Sequence, residues 1–203
     1  MGVLELTPSH ERAYAPRMTT TVELIHPGYI CDEGQRVGSS VSLILDGSAI
    51  VVADPGLVAS QALIVDPLAS RGISPGDVTH VFLSHHHPDH TMNAGLFANA
   101  TVVDFWARYQ ADWWLDHGGD GWQMTDHTQL WLTPGHTEED ATLVIHADDG
   151  VYALTHLWWR QDRTPEKDPY APDQSILDAQ RARVLAIADI VIPGHGEPFR
   201  VTR

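Results

Sequence analysis

Directly after the apolar run Val81-Phe82-Leu83 the chain reads Ser84-His85-His86-His87-Pro88-Asp89-His90, four histidines and one aspartate in seven residues. A tag-like run would be terminal and uniform, whereas this one is internal, contains aspartate and proline, and ends a strand. Imidazole suits zinc, iron and other borderline first-row metals, and a carboxylate adds a harder ligand. Residues two apart in extended chain point the same way, so His85 and His87 can grip one ion while His86 turns away. Asp89 and His90 follow in the turn and can reach a second ion. His136, in Thr133-Pro134-Gly135-His136-Thr137, and His195, in Pro193-Gly194-His195-Gly196, also follow short β-like runs on Pro/Gly turns. These side chains act together only if the fold brings several strand ends to one edge. The chain has 13 histidines, so some are bystanders.

The rest of the sequence is consistent with such a fold. A length of 203 residues with 43% hydrophobic content suits one globular domain, 21–203, behind a loose polar arm, 1–20. Segments 21–30, 39–45 and 49–53 are rich in Val, Ile and Leu and read as antiparallel strands, with 31–38 and 46–47 as turns. Segment 58–71 has helical apolar spacing and closes at Gly72; 79–83 is the strand that delivers the histidine loop. A short helix starting within 91–97 and a strand over 101–103 follow. Segment 104–121 holds Phe105, Trp106, Tyr109, Trp113 and Trp114 and then a glycine-rich turn. It reads as an amphipathic helix, either packed on the domain or forming an aromatic lid. In the lid reading, Trp113, Trp114 and Trp158 shape an apolar substrate pocket. Strands over 129–132, 141–147 and 151–155, a surface loop over 161–172, a helix capped by Asp173 or Ser175 and a last strand over 189–192 complete the chain.

The pattern HxHxDH over 85–90, then TPGHT over 133–137 and PGHG over 193–196, resembles the metallo-β-lactamase superfamily, in that family's order. The resemblance covers residues 22–201, and the stretches 72–79 and 188–201 are similar to one of its subgroups. It implies an α/β fold, a four-layer αββα sandwich. It further implies that His85, His87 and His136 hold a first metal and that Asp89, His90 and His195 hold a second. Zinc is the implied cofactor, one or two ions per chain, with iron and manganese as alternatives. Ser84 and Thr137 are placed to hydrogen-bond ligand histidines.

One position departs from the family. After the strand 151–155 the family reads Gly-Asp, and that aspartate bridges the two metals; this chain reads Thr155-His156-Leu157. A neutral imidazole has one lone pair and does not bridge as a carboxylate does. His156 could bind the second ion alone, which is the preferred arrangement. It could instead stay outside, leaving one ion in the three-histidine site, or Asp140 or Asp162 could supply the carboxylate.

The resemblance implies a hydrolase in which zinc-activated hydroxide attacks a small ester, thioester, lactone or amide, with Asp89 orienting the water and receiving its proton. Phosphodiester or RNA cleavage, and metal binding without catalysis, are the alternatives. A formal net charge of −15 disfavours nucleic acid and anionic membranes as partners and leaves a small-molecule substrate. Tryptophans left exposed would point to a homodimer or to another partner. One cysteine, Cys31, and no apolar h-region in 1–20 point to the cytoplasm.

Overall fold

The computed structural model describes residues 19–162 and 164–202, with Asp32 described in its backbone alone. The expected arm thus lies outside the described residues up to position 18. The chain starts with β1 (Thr20–His26), β2 (Tyr29–Cys31), β3 (Arg36–Gly38), β4 (Val41–Asp46) and β5 (Ala49–Ala53). Next come α1 (Ala62–Ala69), β6 (His80–Phe82), α2 (Pro88–Thr91), β7 (Thr101–Val103), β8 (Arg108–Gln110) and β9 (Trp113–Leu115). The second half runs β10 (Trp122–Gln123), β11 (Thr128–Leu132), β12 (Ala141–Ala147), β13 (Gly150–Thr155), α3 (Gln174–Leu185), β14 (Ile190–Pro193) and β15 (Phe199–Arg200).

Two sheets form, ordered β1-β4-β5-β6-β7-β8-β9 and β10-β11-β12-β13-β14-β15, and β2 and β3 pair separately as a hairpin. Side-chain alternation along the strands sorts the layers. Ile44, Val51, Phe82 and Val103 of the first sheet meet Leu130, Leu143, Ile145, Leu154 and Ile192 of the second. Their neighbours Leu43, Val52 and Val81 point outward onto Ile64 and Leu68 of α1. On the other side Ala153 and Val191 cover Leu177 and Val184 of α3. The order α, β, β, α is the expected four-layer sandwich. Each such Val, Leu, Ile or Phe side chain taken fully out of water contributes about 1.5–3 kcal/mol.

The parallel pairs set the site. β5 pairs with β6 and β6 with β7, while β13 pairs with β14. The register Thr155↔Pro193 puts the residues that follow, His156 and Gly194-His195, side by side. Likewise Ala53↔Phe82 puts Asp54 beside the start of the histidine loop.

Several local expectations change: 21–30 divides into β1 and β2, which lie in different sheets, and β15 follows the strand expected to be last. Segment 104–121 is not a helix: β8 and β9 form a hairpin on the edge of the first sheet, turned by Ala111-Asp112 with Ala111 at φ +52°. Cross-strand pairing of Tyr109 with Trp114, ring centroids 4.8 Å apart edge to face, favours the strand form. Residues 31–38 are more than a turn, because they contain half of the β2–β3 hairpin. α1 begins at Ala62 rather than at 58. The helix expected within 91–97 starts earlier, at Pro88, whose fixed φ suits a first helical position, and 94–96 forms only a 3₁₀ turn. Of the two caps considered for the helix near 173, Asp173 is the one used: it accepts from Ser175 N–H at 2.8 Å, contributing about 1 kcal/mol, and the helix runs to Leu185.

Candidate metal centre

β6 ends at Phe82 and hands the chain to Ser84–His90, whose last residues start α2. The loop is fastened at both ends. Asp54, just past β5, accepts from Ser84 N–H at 2.7 Å through Oδ1 and from the His90 ring at 2.9 Å through Oδ2. It does so at φ +49°, a left-handed backbone that aspartate tolerates better than most residues. Gly56 lies so close beneath α2 that a β-carbon there would stand 1.6 Å from the Asp89 carbonyl oxygen. His136 enters from the loop between β11 and β12, which Ala141 N–H ties to Ser84 O at 2.7 Å. His156 and His195 enter from the parallel ends of β13 and β14.

The structure brings together all seven candidates. Within three overlapping groups, the donor atoms lie within 4.8 Å of one another: His85, His87 and His136; Asp89, His90 and His195; and His85, His90 and His156. The first two are the sets that the motifs implied. The third crosses between them.

The hydrogen-bond network fixes the tautomers of several rings, because a carbonyl or carboxylate only accepts. His136 Nδ1–H donates to Asp168 Oδ2 at 2.9 Å, His90 Nδ1–H to Asp54 Oδ2 at 2.9 Å, and His195 Nδ1–H to Gly38 O at 2.9 Å. Their Nε2 atoms therefore carry the lone pairs, as a metal requires. His85 Nδ1 faces Ser84 Oγ at 3.0 Å. The Nε2 atoms of His85 and His90 are buried with no protein partner, an arrangement costly in a protein interior and suited to coordinating an ion.

Burial, followed by the mutual repulsion of neighbouring rings, holds His85 and His156 well below the ordinary imidazole range. The same causes bring His195 down to about 4. These rings are neutral at neutral pH and free to ligate. His90 goes the other way: burial lowers it, but the carboxylates of Asp54, Asp89 and Asp140 together outweigh burial and leave it raised. Asp168 is likewise pulled two ways. Burial pushes it up, while hydrogen bonds from His136, Tyr170 N–H and Trp159 prevail and leave it lowered.

Neither carboxylate considered as a substitute for the bridging aspartate joins the groups. Asp162 is exposed and paired with Arg160 at 2.9 Å. Asp140 is buried, its carboxyl pushed up to about 7 by that burial, and accepts from Thr137 Oγ1 at 2.7 Å. Thr137 therefore steadies its own loop instead of touching a ligand ring. His86 does turn away, to Asp104 Oδ2 at 2.9 Å.

A cavity of about 330 Å³ opens onto the histidines, lined on its apolar side by Ile30, Val37, Trp159 and Tyr170. The three tryptophans expected there are elsewhere. Trp113 and Trp114 are 67% and 70% exposed on β9, because the hairpin carries them along the sheet edge. Trp158 packs against Phe199 and beneath the Arg181 guanidinium, belonging to the α3 side of the core. The neighbouring Trp159 is the one that lines the cavity, and its Nε1–H donates to Asp168 Oδ2 at 2.8 Å. Asp168 lies in 161–172, the stretch expected to be plain surface loop, yet it is buried. Asp54, Asp168, Trp159, Tyr170 and the β2–β3 hairpin were not evident as site elements from sequence; only the Asp54-Pro55-Gly56 turn offered a signal.

A four-layer αββα sandwich with histidine loops gathered at one sheet edge defines a class of protein whose side chains could hold metal there. The family model described as the Metallo-beta-lactamase superfamily matches residues 34–197, and the chain belongs to that superfamily. A protein described as Metallo-beta-lactamase domain-containing protein 1, from Xenopus laevis, is 29% identical over 209 residues, covering 95% of this chain and 87% of its own. The N-acyl homoserine lactonase AttM of Rhizobium radiobacter is 28% identical over 136 residues, covering 50% of this chain and 51% of that one. Among solved structures, a putative metallo-beta-lactamase from Thermotoga maritima superposes with a TM-score of 0.68 at 19% identity, covering 90% of this chain and 99% of that one. That likeness is one of fold.

Proposed function

We propose that this chain is a metal-dependent hydrolase of small lactones and esters that carry an apolar acyl group. The observation behind this reading is the composition of the cavity: His87, Asp89, His136, His156 and His195 on one side, and Ile30, Val37, Trp159 and Tyr170 on the other. Its polar side suits hydrolysis and its apolar side suits an acyl chain. The lactonase relative lends support to the ring-opening version of the reaction.

The residues that would hold a divalent cation are drawn from the three donor groups described above. When bound, such a cation supplies Lewis acidity, making water a better nucleophile and the substrate carbonyl a better electrophile. The chain supplies the rest. Asp89 Oδ2 stands 3.5 Å from His90 Nε2 and 3.6 Å from His195 Nε2, at the junction of the donor set and the cavity. It accepts the proton of the attacking water and returns it to the departing alkoxide. Trp159, held by Asp168, and Tyr170 form one wall for the acyl chain; Ile30 and Val37 of the β2–β3 hairpin form the other. Both walls keep water from the reacting carbonyl.

The test is turnover by chelator-stripped and zinc-reloaded protein on N-acyl homoserine lactones, p-nitrophenyl esters, acyl thioesters and bis-p-nitrophenyl phosphate. Lactone or ester turnover that disappears on stripping and returns with zinc is expected. Turnover of the phosphodiester alone would overturn the substrate class, and turnover that survives stripping would overturn the metal dependence.

A further inference from the structure

Of the six histidines in the donor groups, four lie in pairs within hydrogen-bonding distance. His136 Nε2, a lone pair by virtue of Asp168, lies 3.3 Å from His87 Nδ1, which donates to it. His195 Nε2, a lone pair by virtue of Gly38 O, lies 3.2 Å from His156 Nε2. Two lone pairs do not face each other at that distance without a proton or an ion between them, so in the chain alone His156 Nε2–H is the donor. That choice leaves His156 Nδ1 as the lone pair, and this atom is buried without a partner. The other buried ring nitrogens of the pocket without a partner, among the described residues, are His85 Nε2 and His90 Nε2. His90 Nδ1–H goes to Asp54 Oδ2, and His85 Nδ1 pairs with Ser84 Oγ, a hydroxyl able to accept its hydrogen and so to leave the lone pair on Nε2. The three rings that keep a buried nitrogen without a partner are the three of the crossing donor group, all of them buried.

We propose that His85 Nε2, His90 Nε2 and His156 Nδ1 form an all-imidazole site for a single divalent first-row cation, with His195 acting as the positioning residue of His156. Three imidazole nitrogens suit zinc, cobalt or copper better than magnesium or calcium. Filling this site uses His85 from one family set and His90 from the other, so it excludes the two-ion arrangement. Replacement of the bridging aspartate by His156 thereby converts a paired centre into a central one. The proposal rests on the metal-dependent reading only in requiring a cation in this pocket.

Titration of the stripped protein with Co²⁺, followed by its visible absorption band and by native mass spectrometry, provides the test. The proposal predicts saturation at one Co²⁺ per chain. His156→Ala should weaken binding by more than the roughly 100-fold reached by changes outside the ligand shell, and His195→Ala by about 10–100-fold with one ion retained. His87→Ala, on the cavity wall, should bind one Co²⁺ with an unchanged band; His156→Asp should bind two. Saturation of the natural chain at two ions, loss of the ion in His87→Ala, or its full retention in His156→Ala would each overturn the proposal. Two ions together with lactone turnover would overturn this site and leave the hydrolase reading standing. One ion without turnover would do the reverse.

Discussion

Asp54→Asn isolates what a single buried carboxylate does for the centre. One oxygen of Asp54 receives Ser84 N–H at 2.7 Å and the other receives His90 Nδ1–H at 2.9 Å. An amide keeps only one acceptor oxygen. If that oxygen faces His90, the amide NH₂ confronts Ser84 N–H, and a buried donor at the start of the histidine loop loses its partner. If it faces Ser84, the NH₂ confronts His90 Nδ1 and forces the other tautomer, placing a hydrogen on the Nε2 that should ligate. Either way one hydrogen bond to a charged acceptor is lost, about 1.5–3 kcal/mol. For a chain of this size that amounts to roughly 3–12 °C in Tm. A change of this kind behind a metal ligand lowers metal affinity by about 10–100-fold. Differential scanning calorimetry of the stripped protein gives the first number, and competition for zinc against a chromogenic chelator gives the second. A folded Asp54→Asn variant with zinc affinity within twofold of the natural chain would refute the tautomer reasoning.

Other outcomes follow from the same structure. Trp159→Ala should reduce kcat/KM for long-acyl lactones more than for acetyl esters, since each methylene buried against that wall contributes about 0.8 kcal/mol; Trp113→Ala should affect neither, and kinetics across an acyl series decides. A β-carbon at Gly194 would stand 2.2 Å from His156 Cδ2 and 2.7 Å from its Nε2, so Gly194→Ala should turn that ring and lower zinc affinity, read by the same chelator competition. Asp46 ties the two sheets by accepting from Thr20, Thr125 and both the backbone and ring of His127. Burial raises the Asp46 carboxyl, but these bonds prevail and leave it below the ordinary 3.8. Its stabilisation is thus complete above that value and is lost as pH falls through the lower, folded-state value. Asp46→Asn should cost about 1.5–3 kcal/mol near neutral pH and flatten the acid limb in urea melts; an unchanged limb would contradict the assignment.

The candidate metal-site histidines stood out in the sequence because their chemistry is compressed. His85, His87, Asp89 and His90 share one loop, and His136 and His195 lie on Pro/Gly turns that follow apolar runs. The carboxylates behind them did not, because Asp54 meets His90 and Asp168 meets His136 from 36 and 32 residues away through ordinary aspartates. The aromatic stretch misled for a local reason. Its residues recur at helical spacing, and its reversal uses Ala111 at positive φ where a glycine would have announced a hairpin. The β2–β3 reversal at Glu33 and Gly34 was taken for a simple turn, which hid the wall formed by Ile30 and Val37. Trp158 and Trp159 are adjacent and face different ways; once β13 has ended, no strand period remains to tell which one faces the cavity.

The most direct test of the metal centre is anomalous diffraction at the zinc edge from crystals of the reloaded protein. The account predicts zinc at a bonding distance of about 2.0–2.1 Å from His85 Nε2, inside the pocket. A pocket without anomalous signal, or zinc bound only at surface histidines such as His127 or His146, would contradict it.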